Sequence, residues 1–255
     1  MLAKRKDVLV WDLLKALGLE HRAIVCQTRS TVSINRFEPK TGRIIKGSIM
    51  KLYDSIGAPN PWRVKVFLAE KGVDYETVPC DMSKGEHKTP AFLEKNPSGK
   101  IPVLELDDGR CLAESVAICR YLEGVYPNPN LFGVDPFEQG FIEMRNRHIE
   151  LELWTQIGTS WVNGPIVAKM GLLTQNPLAK EMSDKNVERY YRRLDREFSK
   201  QTYVAGERYS VADISLLAAV NFATRLVALK PDSTLEHLWR WHSLVSMRPA
   251  VQACL

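Results

Sequence analysis

The first residues with suggestive chemistry lie in a turn, residues 57–63, that follows a short run of β-forming residues. Asn60 is a residue type that often caps a helix. Pro61 suits the first helical position, because the N–H that it lacks would be unpaired there. Unpaired N–H groups at such a helix start favour an anion. The turn therefore predicts either a simple capped helix or an anion-binding helix N-terminus.

A second segment, residues 98–104, places Pro102 at the start of a strand, where proline cannot donate to the ladder. A cis Ile101–Pro102 bond would turn the backbone groups of Ile101 outward, where an extended ligand could pair with them. A trans proline at a strand entrance is the alternative.

A third segment is Glu114-Ser115, at the start of a predicted helix. Ser115 could cap the helix and offer its N–H and hydroxyl to a carboxylate, while Glu114 could neutralise an ammonium group. This pair predicts a site for a zwitterionic amino-acid head group. Serine at a helix cap beside an acid is also common as a purely structural arrangement.

The elements that must position these segments alternate between strand and helix from residue 51 to residue 126. The predicted strands are 51–54, 73–79, 101–106 and 111–113, and the predicted helices are 62–71, 86–96 and 115–126. Strands separated by a helix run parallel, whereas Asp107-Asp108-Gly109 joins the last two strands as a tight hairpin. The order βαβαββα predicts a mixed four-stranded sheet covered by helices on both faces.

A proline-rich stretch, residues 127–130, ends this region, and only helical patterns follow. They span approximately 136–162, 184–200, 210–229 and 233–247. We therefore predict one domain over 50–130 and an all-helical domain over 136–255. Ser210 and Asp213 have the spacing of a capping box, which stabilises a helix start and needs no catalytic role.

Residues 1–49 differ from the rest of the chain. They hold ten Lys or Arg and four Asp or Glu, a net charge of +6, whereas residues 50–255 hold 25 basic and 26 acidic residues. A mitochondrial-type presequence is disfavoured by Asp7, Asp12 and Glu20, and an anion-binding arm is an alternative. We favour a basic extension with little structure, dispensable for folding, ahead of a start at Met50. The balanced charge of the remainder gives no support to nucleic-acid binding.

Composition excludes several other classes. No apolar run approaches the ~18 residues of a membrane span, and no secretory signal is present. The 5 cysteines are scattered without a C-x-x-C pair, which disfavours a disulfide scaffold, a zinc ribbon or a dithiol centre. We predict no metal site and a reducing, cytoplasmic location.

Residues 50–255 resemble the glutathione S-transferase family along their whole length. GEHKTPAFLEKNPSGKIPVL at 85–104 and AESVAI at 113–118 are similar to the family's glutathione-binding run. YVAGERYSVADI at 203–214 resembles the signature of its helical domain. The resemblance implies a thioredoxin-like N-terminal domain, an all-α C-terminal domain and a homodimer.

The resemblance also implies a set of glutathione-binding residues. By position they are His87, Lys88, Lys100, Ile101, Pro102, Glu114 and Ser115. In this assignment His87 and Lys88 reach the glycyl carboxylate, the Ile101 backbone pairs with the cysteinyl residue, and Glu114 and Ser115 anchor the γ-glutamyl residue.

The first turn departs from the usual family pattern, because residues 57–61 offer no hydroxyl or thiol to activate glutathione. The turn resembles an atypical yeast and bacterial branch that relies on a helix terminus and water. We expect the helix N-terminus at Asn60 to activate the thiol. Tyr53 and Ser55 are the other candidates.

The acceptor side is predicted on the first helix of the helical domain, from Met144, His148, Leu151 and Trp161. The same spacing also fits residues of an ordinary core. The expected activity is conjugation of glutathione to small hydrophobic electrophiles. A glutathione-dependent peroxidase or reductase, or a non-catalytic glutathione-binding module, remains open.

Overall fold

A computed structural model gives the fold for residues 50–171 and 173–255 and for two short strands nearer the N-terminus. Strand β1 (Asn35–Phe37) pairs antiparallel with strand β2 (Ile44–Lys46), with Arg36 opposite Ile45. The other residues of segment 1–49 lie outside the described residues. The expectation of little structure there stays a prediction.

The described residues form two compact units that do not follow chain order. The first contains the described residues up to Ser55 together with Tyr75–Leu112, and the second contains Ile56–Asp74 together with Ala113–Leu255. The first helix after Met50 therefore belongs to the same unit as the C-terminal helices. The predicted domain boundary between residues 130 and 136 stays a prediction, because each compact unit combines segments that are distant in the sequence.

Ten α-helices lie within residues 50–171 and 173–255, of which α2 belongs to the first unit and the others to the second. They are α1 (Pro59–Lys71), α2 (Pro90–Lys95), α3 (Ser115–Val125), α4 (Pro136–His148), α5 (Thr155–Val162), α6 (Pro165–Met170), α7 (Pro177–Phe198), α8 (Val211–Phe222), α9 (Glu236–Ser246) and α10 (Pro249–Gln252). A 3₁₀ turn spans Glu86–Lys88, and π-helical segments span Ile149–Trp154 and Ala223–Val227.

A four-stranded mixed sheet forms the first unit, in the order β4-β3-β5-β6. Its strands are β3 (Lys51–Asp54), β4 (Glu76–Pro79), β5 (Val103–Glu105) and β6 (Cys111–Ala113). Strand β3 runs parallel to β4, with Leu52 opposite Thr77, and antiparallel to β5, with Leu52 opposite Leu104. This confirms the predicted mixed sheet and the βαβαββα order.

One face of this sheet carries a small apolar cluster. Buried Cys80, Phe92 and Val103 form its centre, and Tyr53 and Ile101 pack against it. Thr89 caps α2 through its Oγ1, which accepts from the N–H of Phe92 at 3.4 Å. The cap fixes α2, and with it the ring of Phe92, over the cluster.

Helix α8 is the buried centre of the second unit, since residues 211–220 are all buried. The predicted capping box at its start is confirmed: the N–H of Ser210 donates to Asp213 Oδ2 at 2.9 Å. Asp213 also accepts from the N–H of Val204 and from Trp241 Nε1, both at 2.9 Å. One carboxylate thus ties a loop, a helix start and α9 together.

Side-chain contacts join helix α1 to the last residues of the chain. Arg248 forms a bidentate ion pair with Glu70, at 2.6 and 2.8 Å, and Trp62 Nε1 donates to the carbonyl of Cys254 at 3.0 Å. Helix α1 packs against α3, α8 and α10.

Several predicted element bounds were wrong. Helix α7 begins at Pro177 and not at 184, because Asn176 accepts from the N–H of Ala179 at 3.1 Å and so provides an earlier cap. Strand β4 begins at Glu76 and not at 73, and α6 and α10 were not predicted. Within the described ranges no helix combines the length and the apolar character needed to span a membrane.

Candidate functional site

Two loops of the first unit are joined by Lys88. Its Nζ donates to the carbonyl of Gly99 at 3.1 Å and to that of Ser98 at 3.4 Å. Gly99 has φ +58°, and a Cβ there would lie 2.6 Å from Lys88 Nζ. Glycine is therefore required at this position. Since an ammonium group has three N–H donors, Lys88 retains one for a ligand.

Asn96, which the sequence analysis missed, shapes the second of these loops. Its Nδ2 donates to the carbonyl of Lys100 at 2.7 Å, and its Oδ1 accepts from the N–H and hydroxyl of Ser98 at 3.2 and 2.9 Å. The Asn-Pro-Ser-Gly sequence is typical of a turn and was the available signal. The turn leaves the Lys100 side chain exposed just before β5.

The Ile101–Pro102 peptide bond is cis, the first of the two alternatives that the sequence left open. The β3–β5 ladder begins at Val103, opposite Tyr53, so the backbone groups of Ile101 precede it. Those groups are in the position expected for pairing with an extended ligand.

His87 is half-buried beside Lys88. Burial, and then the charge of Lys88, lower the pKa of His87 below its ordinary value of 6.5. The imidazole is therefore neutral at pH 7, and its Nδ1 is buried without a partner among the described residues. His87 can offer a hydrogen bond to an anion but no full charge.

The expected Asn60 cap was wrong. Helix α1 begins at Pro59 with Ala58 as its N-cap, and no side chain caps it. Pro59 occupies the first helical position in place of Pro61, which suits its fixed φ equally well. Asn60 thus lies inside the first turn.

The start of α1 nevertheless offers one backbone donor. Its first three helical positions are Pro59, Asn60 and Pro61, and the N–H of Trp62 bonds to the carbonyl of Ala58 at 3.3 Å. Because proline has no N–H, the backbone N–H of Asn60 is the one helical donor at this terminus that lacks an i−4 partner.

The hydroxyl of Tyr53 already donates its hydrogen bond to another residue of the protein. Its hydroxyl donates to Glu105 Oε2 at 2.7 Å, and Lys95 Nζ lies 2.7 Å from the same oxygen. Burial, and then the hydrogen bond to Glu105, raise the pKa of Tyr53 above 10.0. The phenol has one hydrogen, so activation of a thiol by Tyr53 would require this bond to break. Ser55 is half-buried at the end of β3.

At the start of α3, the N-cap is Glu114 and not Ser115, which corrects the predicted cap. Glu114 has φ +66°, a backbone conformation that is strained for a residue with a side chain, and its side chain does not cap the helix. The exposed Glu114 carboxylate lies next to the first helical residue, Ser115, which is 5% exposed. The N–H groups of the first turn of α3 have no i−4 partner, an arrangement that favours anions.

Comparison with known proteins identifies the family. Residues 48–124 match the family model "Glutathione S-transferase, N-terminal domain", and residues 167–249 match "Glutathione S-transferase, C-terminal domain". The chain belongs to the glutathione S-transferase family.

Curated relatives and a solved structure agree with this assignment. Glutathione S-transferase 2 of Saccharomyces cerevisiae is 35% identical over 210 residues, covering 81% of this chain and 89% of the relative. The crystal structure of Gtt2 from Saccharomyces cerevisiae has a TM-score of 0.74 at 35% identity, covering 80% of this chain and 100% of that one. A maleylacetoacetate isomerase of Pseudomonas aeruginosa is 42% identical over 92 residues, 35% of this chain and 43% of the relative. The protein is thus a glutathione transferase with the thioredoxin-like and helical domains of its family.

Arg63 is a second residue that the sequence analysis missed. It lies on α1 with 2% of its surface exposed, and its Nη1 donates to Ser115 Oγ at 2.7 Å. It lies four residues before Phe67, which is fully buried, so the helical spacing places both side chains on the same face of α1.

The acceptor residues predicted on α4 and the adjoining π-helical segment are accessible. Met144 is 42% exposed, Leu151 is 59% exposed and His148 is half-buried. They follow one another at the spacing of a single helical face.

Trp161, the remaining predicted acceptor residue, belongs to an aromatic cluster. Its ring centroid lies 5.4 Å from that of Phe222, which lies 5.9 Å from that of Trp154. Trp154 Nε1 is buried and has no hydrogen-bond partner among the described residues. Trp154 and Phe222 were not predicted, because their contact depends on the two π-helical segments that end or begin beside them.

The first unit also contains a cavity of about 200 Å³. Its lining includes Tyr53, Cys80, Phe92 and Lys95. Apart from Tyr53, no predicted site residue lines it.

Proposed function

We propose that this transferase conjugates the thiol of glutathione to small hydrophobic electrophiles. The observation that carries the proposal is the match of both parts of the chain to the two domains of the glutathione S-transferase family. The aromatic cluster of Trp154, Trp161 and Phe222 supports an apolar, ring-shaped acceptor.

The charges of the proposed glutathione residues complement those of the ligand. Glutathione carries two carboxylates and one ammonium group. Lys88, with one N–H donor left, and the exposed Lys100 would serve the glycyl carboxylate, with neutral His87 as an additional donor. Glu114 would pair with the ammonium group, and Ser115 at the start of α3 would hold the second carboxylate.

The cysteinyl part would pair with the backbone of Ile101, next to the cis Pro102. For the thiol, we propose that the N–H of Asn60 and the dipole of α1 stabilise the thiolate. A helix N-terminus contributes ~0.3–1 kcal/mol to an exposed anion and up to ~2 kcal/mol to a partly buried one. Since one pKa unit is about 1.4 kcal/mol, the thiol pKa would fall by about one unit from ~8.5.

Activity is tested with a screen of halonitroarenes, epoxides, hydroperoxides and disulfides. Conjugation of a halonitroarene or an epoxide supports the proposal. Turnover of hydroperoxides or disulfides alone would assign a peroxidase or reductase. Retention on glutathione-agarose without turnover of any of these compounds would assign a binding module.

The source of thiol activation is tested by the ultraviolet absorbance of bound thiolate against pH. Asn60→Pro removes the helical N–H and should raise the pKa of the bound thiol by about one unit. Asn60→Ala keeps the N–H and is the matched control, with Tyr53→Phe and Ser55→Ala beside it. A rise to the free-thiol pKa in either hydroxyl variant alone would assign activation to that hydroxyl.

The relationship to maleylacetoacetate isomerase favours a second candidate activity, isomerisation of an unsaturated diketo acid of that kind. An isomerase would convert this substrate without consuming glutathione, whereas a conjugating enzyme consumes one thiol for each product. Thiol titration during turnover distinguishes the two activities.

We also infer a cytoplasmic homodimer. The stacked pair of Phe137 and Phe141 on α4, with Phe137 81% exposed, supports an apolar contact surface. Light scattering after gel filtration should give twice the mass of the chain, and Phe137→Asp should shift the equilibrium towards monomer.

A further inference from the structure

Arg63 carries an incompletely compensated buried charge. The nearest carboxylate oxygen, Glu150 Oε1, lies 3.7 Å from its Nη1, and its Nε has no partner among the described residues. The centroid of the Trp154 ring lies 5.5 Å from its Cζ, and Glu114 and Cys119 interact with the guanidinium electrostatically. Burial lowers the pKa of Arg63, as expected for a guanidinium whose charge is only partly offset. Such a charge is costly to keep without a partner, which makes an additional anion favourable nearby.

The hydrogen bond from Arg63 fixes the orientation of the Ser115 hydroxyl. An arginine can only donate, so Ser115 Oγ accepts the bond from Arg63 Nη1 at 2.7 Å. The hydroxyl hydrogen of Ser115 must then go to another acceptor. Among the hydrogen bonds of the described residues, none uses Ser115 Oγ as the donor.

The backbone of α3 adds donors at the same place. The N–H of Ile118 bonds to the carbonyl of Glu114 at 2.9 Å, so the three N–H groups before it have no i−4 partner. Three contributions meet at this helix start: backbone N–H groups, the Ser115 hydroxyl and the charge of Arg63.

We propose that Arg63 is the positioning residue for the α-carboxylate of the γ-glutamyl group. It holds Ser115 so that its hydroxyl donates to that carboxylate, and it places a positive charge behind the α3 N-terminus. This inference rests on the proposed binding of glutathione.

The test pairs protein variants with two ligands. One is glutathione, and the other is the analogue in which 4-aminobutyryl replaces the γ-glutamyl residue, so that the ammonium group and the thiol remain and the α-carboxylate is absent. Dissociation constants are measured by competition for wild type, Arg63→Met, Ser115→Ala and the double variant.

Arg63→Met should weaken glutathione binding about 10- to 100-fold and analogue binding less than about threefold. Ser115→Ala should likewise weaken glutathione binding more than analogue binding. The double variant should bind glutathione only slightly more weakly than Arg63→Met alone, because both substitutions remove the same interaction. Arg63→Lys keeps the charge and should restore part of the loss.

The matched control is Arg120→Met on the same helix as Ser115. Arg120 is exposed, with its nearest carboxylate on Glu143 at 3.8 Å, and its replacement should change both affinities less than twofold.

Equal weakening of glutathione and analogue in Arg63→Met would mean that Arg63 only supports the fold, and would overturn the inference while leaving the proposed function intact. Absence of glutathione binding by the wild type would overturn both. If Arg63→Met does not fold, Ser115→Ala and Arg63→Lys are compared with the same two ligands. The inference would be overturned if neither variant weakens glutathione binding more than analogue binding.

Discussion

Helices α8 and α3, both in the second unit, begin in opposite ways. At α8 the N–H of Ser210 donates to Asp213, and the N–H of Val211 donates to the carbonyl of Leu131 at 2.9 Å. At α3 the cap residue, Glu114, has a positive φ and does not use its side chain as a cap. The N–H groups at the start of α8 are therefore paired within the protein, whereas the first N–H groups of α3 have no i−4 partner.

This difference predicts a structural role for Asp213 and a ligand-binding role for Glu114. Asp213 is fully buried and accepts four hydrogen bonds, whereas Glu114 is exposed beside a helix start with unpaired N–H groups. Replacing the first should damage the fold, and replacing the second should damage binding.

The largest effect is expected from Asp213→Ala. Several buried donors would lose their acceptor, at about 1–3 kcal/mol each, so the free energy of unfolding should fall by about 3–5 kcal/mol. Urea denaturation measures the change. Glu114→Ala is the control and should change stability by less than about 0.5 kcal/mol. Similar losses in both variants would remove the distinction between the two helix starts.

The stability contribution of Asp213 should also depend on pH. Burial raises the pKa of Asp213 from 3.8 to about 6, despite the hydrogen bonds to its ionised form. Between these values the native state binds a proton more tightly than the unfolded chain, so stability contributed by this group is present below pH 4 and is lost as pH rises through 6.

Relative to Asp213→Asn, wild type should therefore lose roughly 2.4 kcal/mol of unfolding free energy between pH 4 and pH 7. Urea denaturation at both pH values measures the difference, and the asparagine variant removes the titrating group. A difference that grows in favour of wild type with rising pH would mean that hydrogen bonding outweighs burial.

Glu114→Ala should weaken glutathione binding by ~1.5–3 kcal/mol, about 10- to 150-fold, because the ammonium group loses its counter-charge. Calorimetry measures the affinity, with Glu114→Gln separating charge from hydrogen bonding. Unchanged affinity in Glu114→Ala would exclude this residue from the site.

The smallest effect is expected at α1. Its start, like that of α3, has no side-chain cap, but it offers only one backbone N–H donor, that of Asn60. Asn60→Ala should alter glutathione affinity and stability by less than about 0.5 kcal/mol, because its side chain is no cap and its N–H persists. A loss of about 1 kcal/mol in thermal or urea denaturation would instead indicate a capping role.

The mixed sheet and most helices could be predicted, because hydrophobic spacing and turn residues act locally. The capping box of α8 followed from a single motif for the same reason, whereas the residues around Pro102 left a cis and a trans bond open. Helix caps at 58 and 114 were misplaced by one or two residues, since Pro59 and Pro61 suit the same role and Ser115 is a better cap by type than Glu114.

Contacts between residues that are distant in the chain could not be predicted from the sequence. Arg63 appears as an ordinary helical arginine until it is known to contact Ser115, which is 52 positions away in the chain. Similarly, the π-helical segments at 149–154 and 223–227 change the helical phase. A uniform α-helical spacing therefore does not predict the contact between Trp161 and Phe222.

The ties between α1 and the C-terminal residues have a consequence for synthesis on the ribosome. Arg248 follows its partner Glu70 by 178 positions, which takes about 10–40 s at ~5–20 residues per second. During that interval α1 has emerged with Val64, Phe67 and Leu68, side chains that the finished protein buries completely. A nascent chain of this protein therefore carries α1 without its C-terminal contacts until translation has passed Arg248, and premature termination before Arg248 releases a product in which that helix lacks its last contacts.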